Sequence, residues 1–205
     1  MKVSKAKAAE NRASLVYAAA KVLKEKGFEG AGVVEISARA GLTQGAFYGQ
    51  FATKAVLAAE ACRQDLAIGV ADWMDQRGRG DHDALAYVKH YLRRGHVEDL
   101  AGGCPMATYA GEIVRQEPAI AAAFADGASA MVELMEEALG KAMPSGAARS
   151  RALFLIAALA GTVAMTRALG RTDSKLAEEM LEAGLLEAQR LSSGLHQAEE
   201  QPMPG

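Results

Sequence analysis

Hydrophobic positions along the 205-residue chain recur at helical spacing, and no run alternates cleanly with a period of two. Leu15, Ala19, Val22 and Leu23 follow i, i+4, i+7 and i+8, which predicts an amphipathic helix over 11–26, ended by Gly27 and anchored on its return by Phe28. Val33, Val34, Ile36 and Ala40 give a short second helix its buried face, with Glu35 and Arg39 forming an i,i+4 pair outside. Gly41 ends that helix, Leu42 supplies an apolar plug, and Thr43 is placed to N-cap a third helix reaching about 48–50. Phe47 and Phe51 sit four apart and can pack together inward. A helix, a tight glycine turn and a capped second helix form the outline of a helix-turn-helix.

Thr53 caps a long helix over 54–77 whose apolar positions include Val56, Leu57, Ala61, Leu66, Ile68, Val70 and Trp73. The stretch GRGDHD at 78–83 reads as a linker, followed by a helix over 84–94 and a second break, GGCP, at 102–105. Helices are predicted over 106–115 and then over 118–140, where Glu117 and Pro118 suit a helix start. PSG at 144–146 breaks the chain before two final helices, 147–169 and 173–191. The first of these carries a small-residue stripe (Ala157, Ala160, Gly161, Ala164). The second is apolar on more than one face through Leu176, Met180, Leu181, Leu185 and Leu186. Apolar surface left over on a terminal helix pair predicts self-association through two helices per subunit, with burial inside one subunit as the alternative. The expected architecture is all-α: a three-helix helix-turn-helix head over 1–53, led by a mobile basic arm over 1–9, a helical ligand-binding and dimerisation domain over 54–195, and a disordered tail over 196–205.

Charge changes the picture. A net charge of −2 and a pI near 6.1 argue, taken whole, against a nucleic-acid partner. Yet residues 1–58 carry nine Lys/Arg against four Glu, leaving +5 on the head and −7 on the remainder. A basic head on an acidic body fits a DNA reader. The N-terminus lacks an apolar signal core and no apolar stretch free of charge reaches spanning length, so a cytoplasmic protein without a membrane partner is expected.

Chemistry is sparse. There is no GxSxG, no glycine-rich phosphate loop and no zinc-type His pair, and the two Cys and four His (82, 90, 96, 196) form no ligand pattern. No catalytic residue, metal or cofactor is therefore expected. Small and amide-bearing side chains on the third helix point to base reading. Gln44 and Gln50 can contact adenine edges, Ala46 and the Thr43 methyl can meet a thymine methyl, Gly45 permits close approach, and Tyr48 and Lys54 can reach phosphate. Trp73, Met106, Tyr109, Phe124, Met131 and Phe154 are candidates for an adaptable apolar ligand pocket, with His90 and Glu112 as a possible polar pair. Cys104 sits at a helix start beside Pro105, where the positive helix end favours a thiolate; a reactive sensor thiol and a small buried hydrophobe are the two readings.

The residues Leu15, Ala18-Ala19, Leu23 and Gly27-Phe28, then Ile36, Ala40-Gly41-Leu42-Thr43, Gly45-Ala46-Phe47-Tyr48, Phe51, Lys54 and Leu57, closely resemble the tetracycline-repressor (TetR) family of bacterial transcriptional regulators. More loosely, Gly103-Cys104-Pro105, Ala110, Glu112, Arg115-Gln116-Glu117-Pro118 and Ala123-Phe124 resemble the ligand-binding part of one branch of that family. The resemblance implies an Ω-shaped homodimer reading a near-palindromic operator, with a small-molecule effector shifting the helix at 54–77 to release DNA. It also implies that some relatives sense electrophiles or oxidants through a Cys in this region. Ala31 and Gly32 stand where relatives usually carry Thr or Ser, Gln50 where an aromatic or His is frequent, and Tyr17 where a polar residue is usual. The expected function is a ligand-responsive regulator, with a thiol-sensing repressor and a helical ligand-binding protein or enzyme without DNA binding as alternatives.

Overall fold

The computed structural model describes residues 4–78, 83–140 and 145–192, and these are helical with no strand. Three helices form the head: α1 (Lys5–Gly30), α2 (Val33–Arg39) and α3 (Gln44–Tyr48). Seven follow: α4 (Lys54–Gly78), α5 (Ala84–Tyr91), α6 (Arg94–Glu98), α7 (Pro105–Ile113), α8 (Pro118–Gly140), α9 (Ser145–Leu169) and α10 (Ser174–Ser192). α4 is the spine, with α1 on one side and α8 on the other; α9 packs on α8, and α10 on α9 and α5.

The helix starts follow their caps. Ser4 accepts from the Lys7 amide at 3.2 Å, Thr43 from Ala46 at 3.2 Å and Thr53 from Val56 at 3.2 Å. The Ser4 cap corrects the arm expected over 1–9: Lys5 to Ala9 are helical, helped by a Lys7–Glu10 pair at 2.9 Å. Residues 1–3 of that arm, most of the 78–83 linker and the tail over 196–205 lie outside the described residues. α2 starts at Gly32 with no side-chain cap, as the missing Ser or Thr foretold.

Gly27 breaks α1 with φ 74° and ψ 175°, a conformation that strains an L side chain. The missing Cβ also makes room for Glu112: a Cβ there would lie 2.6 Å from Oε1, while the Phe28 amide donates to Oε2 at 2.8 Å. The single helix expected over 84–94 is instead two. α5 stops at Leu92, Arg93 is extended, and α6 turns Val97 inward to 3% exposure. The end of α6 is held by Arg167 of α9, whose Nε donates to Val97 O at 2.7 Å and whose terminal nitrogens reach Asp99 O at 3.1 Å, His96 O at 3.3 Å and Thr108 Oγ1 at 3.1 Å. Gly103 lies so close beneath this staple that a Cβ would come within 2.8 Å of His96 O.

α8 and part of α9 (Gly146–Leu169) are long and apolar enough to cross a membrane by length and composition. In this fold they pack within the bundle, α8 between α4 and α9.

Head and body are joined by a buried ion pair. Lys24 Nζ of α1 donates to Asp65 Oδ1 of α4 at 2.8 Å and to Gly103 O at 3.3 Å. The Tyr109 hydroxyl of α7 lies 3.2 Å from Asp65 Oδ2 and 3.4 Å from Ala20 O. The two charged side chains are 4% and 9% exposed, and burial pushes the Asp65 carboxyl above its ordinary value against the opposing pull of Lys24 and Tyr109. Replacing one partner strands the other charge in a dry site. Lys24→Met should cost about 3–5 kcal/mol in urea denaturation, and Lys24→Met/Asp65→Leu should recover much of that loss. A single-variant loss under about 1 kcal/mol would contradict the assigned burial.

Candidate nucleic-acid interface and ligand cavity

The face of α3 is set by two rings. Phe47 and Phe51 are buried with centroids 5.9 Å apart, and Tyr48 meets Phe47 edge-on at 4.9 Å. With these inward, Thr43, Gln44, Gly45 and Tyr48 are exposed, and Ala46 and Gln50 partly so. The structure therefore brings the six residues into one neighbourhood, although Gln50 falls beyond the Gly49 cap rather than within α3.

Arg12 was not foreseen in this region. Its NH1 donates to Gln50 O at 2.8 Å, its Nε to Glu60 Oε1 at 3.1 Å and its NH2 to Glu60 Oε2, while its guanidinium lies 4.1 Å from the Phe51 ring centre. It fixes the end of the recognition segment against α1 and α4. No local spacing could reveal this, because the partners lie 38 and 48 residues away. Lys54, expected to hold phosphate, donates to Phe28 O at 2.8 Å and so closes the end of α1. An ammonium has three donors, so this bond leaves two. The head's positive excess is also smaller in three dimensions than along the chain, because Glu60 and Asp65 of α4 neutralise Arg12 and Lys24.

A cavity of about 150 Å³ lies between α4, α5, the start of α7 and α8, and Lys24 forms part of its wall. Three expected pocket residues line it: Trp73, Met106 and Met131. Three do not. Tyr109 is fully buried, with its ring 5.1 Å from that of Phe28 and its hydroxyl on Asp65. Phe124 packs half-buried against the core, and Phe154 is 61% exposed on the outside of α9. Of the suggested polar pair, His90 lines the cavity, whereas Glu112 is occupied with Phe28. The wall also includes Asp65, Tyr87, Tyr91 and His96, which the sequence did not single out. Trp73 and Tyr87 stack with centroids 3.8 Å apart at 21°.

Cys104 stands at the N-cap of α7 and lines the cavity, and of its two readings the small buried hydrophobe is the one its burial favours. Burial pushes its thiol up, outweighing the Tyr91 hydroxyl and the amides of Ala107 and Met106, which pull it down. Cys62 is buried in α4 and pushed up to about 12, chiefly by burial and then by Asp65. Among the described residues, no group of three or more His, Cys, Asp and Glu is placed to hold a metal.

His96 is held neutral. Burial, then Arg93, Arg167 and His90, lower it from 6.5 to about 4, with Asp99 opposing. A depressed His must gain its proton more easily unfolded than folded, so its contribution is intact above about 6.5 and is lost as pH falls toward 4. Stability followed by urea denaturation should decline across that window, and His96→Gln should flatten the decline. An unchanged slope in the variant would remove His96 as its source.

Residues 15–61 match the profile of the family described as bacterial regulatory proteins, tetR family. No curated protein matches the chain in sequence. Among solved structures, reduced E. coli NemR is 20% identical, with a TM-score of 0.74 over 88% of this chain and 95% of that one. A TetR-family regulator from Cytophaga hutchinsonii is 18% identical, with a TM-score of 0.73 over 96% and 99%. FadR from Bacillus subtilis, in complex with stearoyl-CoA, is 17% identical, with a TM-score of 0.64 over 90% and 99%. At these identities the likeness shows a shared fold, and it covers head and body together. The head at residues 15–61 therefore matches the tetR family of bacterial regulatory proteins, and the chain as a whole shares the fold of these regulators.

Proposed function

We propose that the protein is a ligand-responsive repressor that binds a palindromic operator as a homodimer and is released by a small molecule. The head over 1–53 would read DNA and the body over 54–195 would bind effector and partner subunit. The carrying observation is that the cavity wall and the head share an element: Lys24 belongs to α1, lines the cavity, and is locked to Asp65 of α4. An effector that displaces α4 would carry α1 with it, and the recognition segment follows because Arg12 ties Gln50 to α1 and α4. A small rotation of each head changes the distance between two recognition helices, which must match one helical turn of DNA. A cavity of about 150 Å³ suits a small effector.

The second subunit would pack on α9 and α10. Phe154, Ala157, Gly161, Met165 and Ala168 are spaced to fall along one face of α9, and Phe154 and Met165 are 61% and 48% exposed. No heavy atom beyond the helix's own neighbouring backbone comes within 4 Å of a Cβ placed at Gly161, so a partner helix could approach closely there. Leu176 and Leu186 extend the apolar surface onto α10.

Gln44→Ala should alter base preference at one operator position, at about 1–3 kcal/mol, in a sequence-selection assay. Lys54→Ala should weaken all DNA alike and flatten the salt dependence. An unchanged selection profile in Gln44→Ala would show that α3 is docked wrongly. Separately, Phe154→Glu with Met165→Glu should yield a folded monomer in sedimentation velocity; a persistent dimer would place the subunit contact elsewhere.

A further inference from the structure

The positive charge of the head is nearly all engaged inside the protein. Eight of its Lys and Arg fall among the described residues. Lys7, Arg12, Lys24, Lys26 and Arg39 each meet a carboxylate, Lys21 lies over the Tyr17 ring, and Lys54 is bonded to Phe28 O. Lys5 is exposed and has no partner among the described residues.

The face of α1 on which Lys5 falls sets its position. Lys5, Ala8, Arg12, Leu15 and Ala19 follow i, i+3, i+7, i+10 and i+14, which is one stripe of a helix. Ala8 on that stripe is half-buried, and Leu15 and Ala19 are fully buried. Arg12 donates from the same stripe to Gln50 O, just past the end of α3. Lys5 stands seven residues, or about 10 Å, further along the axis of α1. The opposite end of α1 meets the body, through Lys24 with Gly103 and Phe28 with Glu112, so this end points away from it. Lys5 therefore overhangs the end of the recognition segment, on the side of α1 that faces it. A helix seated in a major groove about 12 Å wide nearly fills it, so a side chain beyond its end faces the phosphate walls.

Local energetics do not favour a lysine here. The first turn of α1 carries Lys5 and Lys7 and no acid, although the positive end of a helix dipole disfavours cations. Ser4 nevertheless caps that turn by accepting from the Lys7 amide at 3.2 Å, which holds Lys5 in helical register rather than on a loose arm. Lys5 opposes its own helix dipole and gains no ion pair in return, and an external anion supplies the missing counter-charge.

We propose that Lys5 is a phosphate contact of the DNA-bound protein, held by the Ser4-capped turn against the duplex backbone beside each half-site. Such a contact adds affinity and fixes orientation but reads no base. The proposal rests on the operator-binding reading above.

The test uses the full chain and the duplex that the unaltered protein recovers by sequence selection, with binding measured from about 0.1 to 1 M salt. Lys5→Ala should weaken binding by roughly 3- to 10-fold per chain at the low end, and lower the slope of log affinity against log salt by about 0.9 per chain. Lys5→Arg should keep both. Lys7→Ala removes the same charge two residues on, from nearly the opposite face of the helix, and should change the slope far less. Lys5→Glu relieves the conflict with the dipole, so its melting temperature should equal or exceed the parent's while its binding falls furthest. Ethylation interference with Lys5→Ala should lose backbone positions flanking the half-site and keep those within it. If Lys5→Ala binds as the parent does, or if Lys7→Ala loses as much, the proposal is overturned and the operator reading stands. A marked fall in the melting temperature of Lys5→Ala would also overturn it, by assigning the side chain to the fold. Recovery of no duplex by the unaltered chain would overturn the operator reading and this proposal together.

Discussion

The buried pair of Lys24 and Asp65 is the constraint on which the relation of head to body depends. Each charge is expensive to remove from water, and the pair persists because each has further support: Lys24 from Gly103 O and Asp65 from the Tyr109 hydroxyl. Four segments are thereby fixed at one point: α1, α4, the loop before α7 and α7 itself. An apolar contact would hold them with similar energy but without fixing direction. The charged contact ties α1 to α4 at defined atoms.

Around that point, two further contacts limit how the head can turn. Glu112 receives the Phe28 amide across the opened backbone at Gly27, and Lys54 takes the Phe28 carbonyl from the other side. The end of α1 is thus clamped by the last turn of α7 and the first turn of α4. At the other end of the head, Arg12 holds Gln50 to α1 and α4, so the recognition segment has little independent freedom. These contacts tie the helices of the head to one another and to the start of the body.

The body stores polarity in the same economical way. Arg167 satisfies loop carbonyls with its guanidinium, which fixes the loop carrying Gly103 and Cys104 into the cavity wall. Desolvation then sets the chemistry of that wall: the same burial that raises the Cys104 thiol lowers the His96 imidazole, and both end up neutral.

Local signals were enough to define the elements. Spacing of Leu15, Ala19, Val22 and Leu23, the caps at Thr43 and Thr53, and the glycines at 27 and 41 specify helices and turns through contacts a few residues apart. The exposed face of α3 was legible for the same reason, since Phe47 and Phe51 orient it. Tertiary structure decided the position of Phe154 on the surface, while the division of α5 from α6 and the local Ser4 cap that makes Lys5–Ala9 helical went unread in the pattern of apolar positions. It also decided which polar residues meet. Lys24 and Asp65 are 41 positions apart, and Arg167 and Val97 are 70 apart. Periodicity reports which way a side chain points on its own helix. It carries no information about which distant group will be there, nor about whether burial will overrule a helix dipole at Cys104.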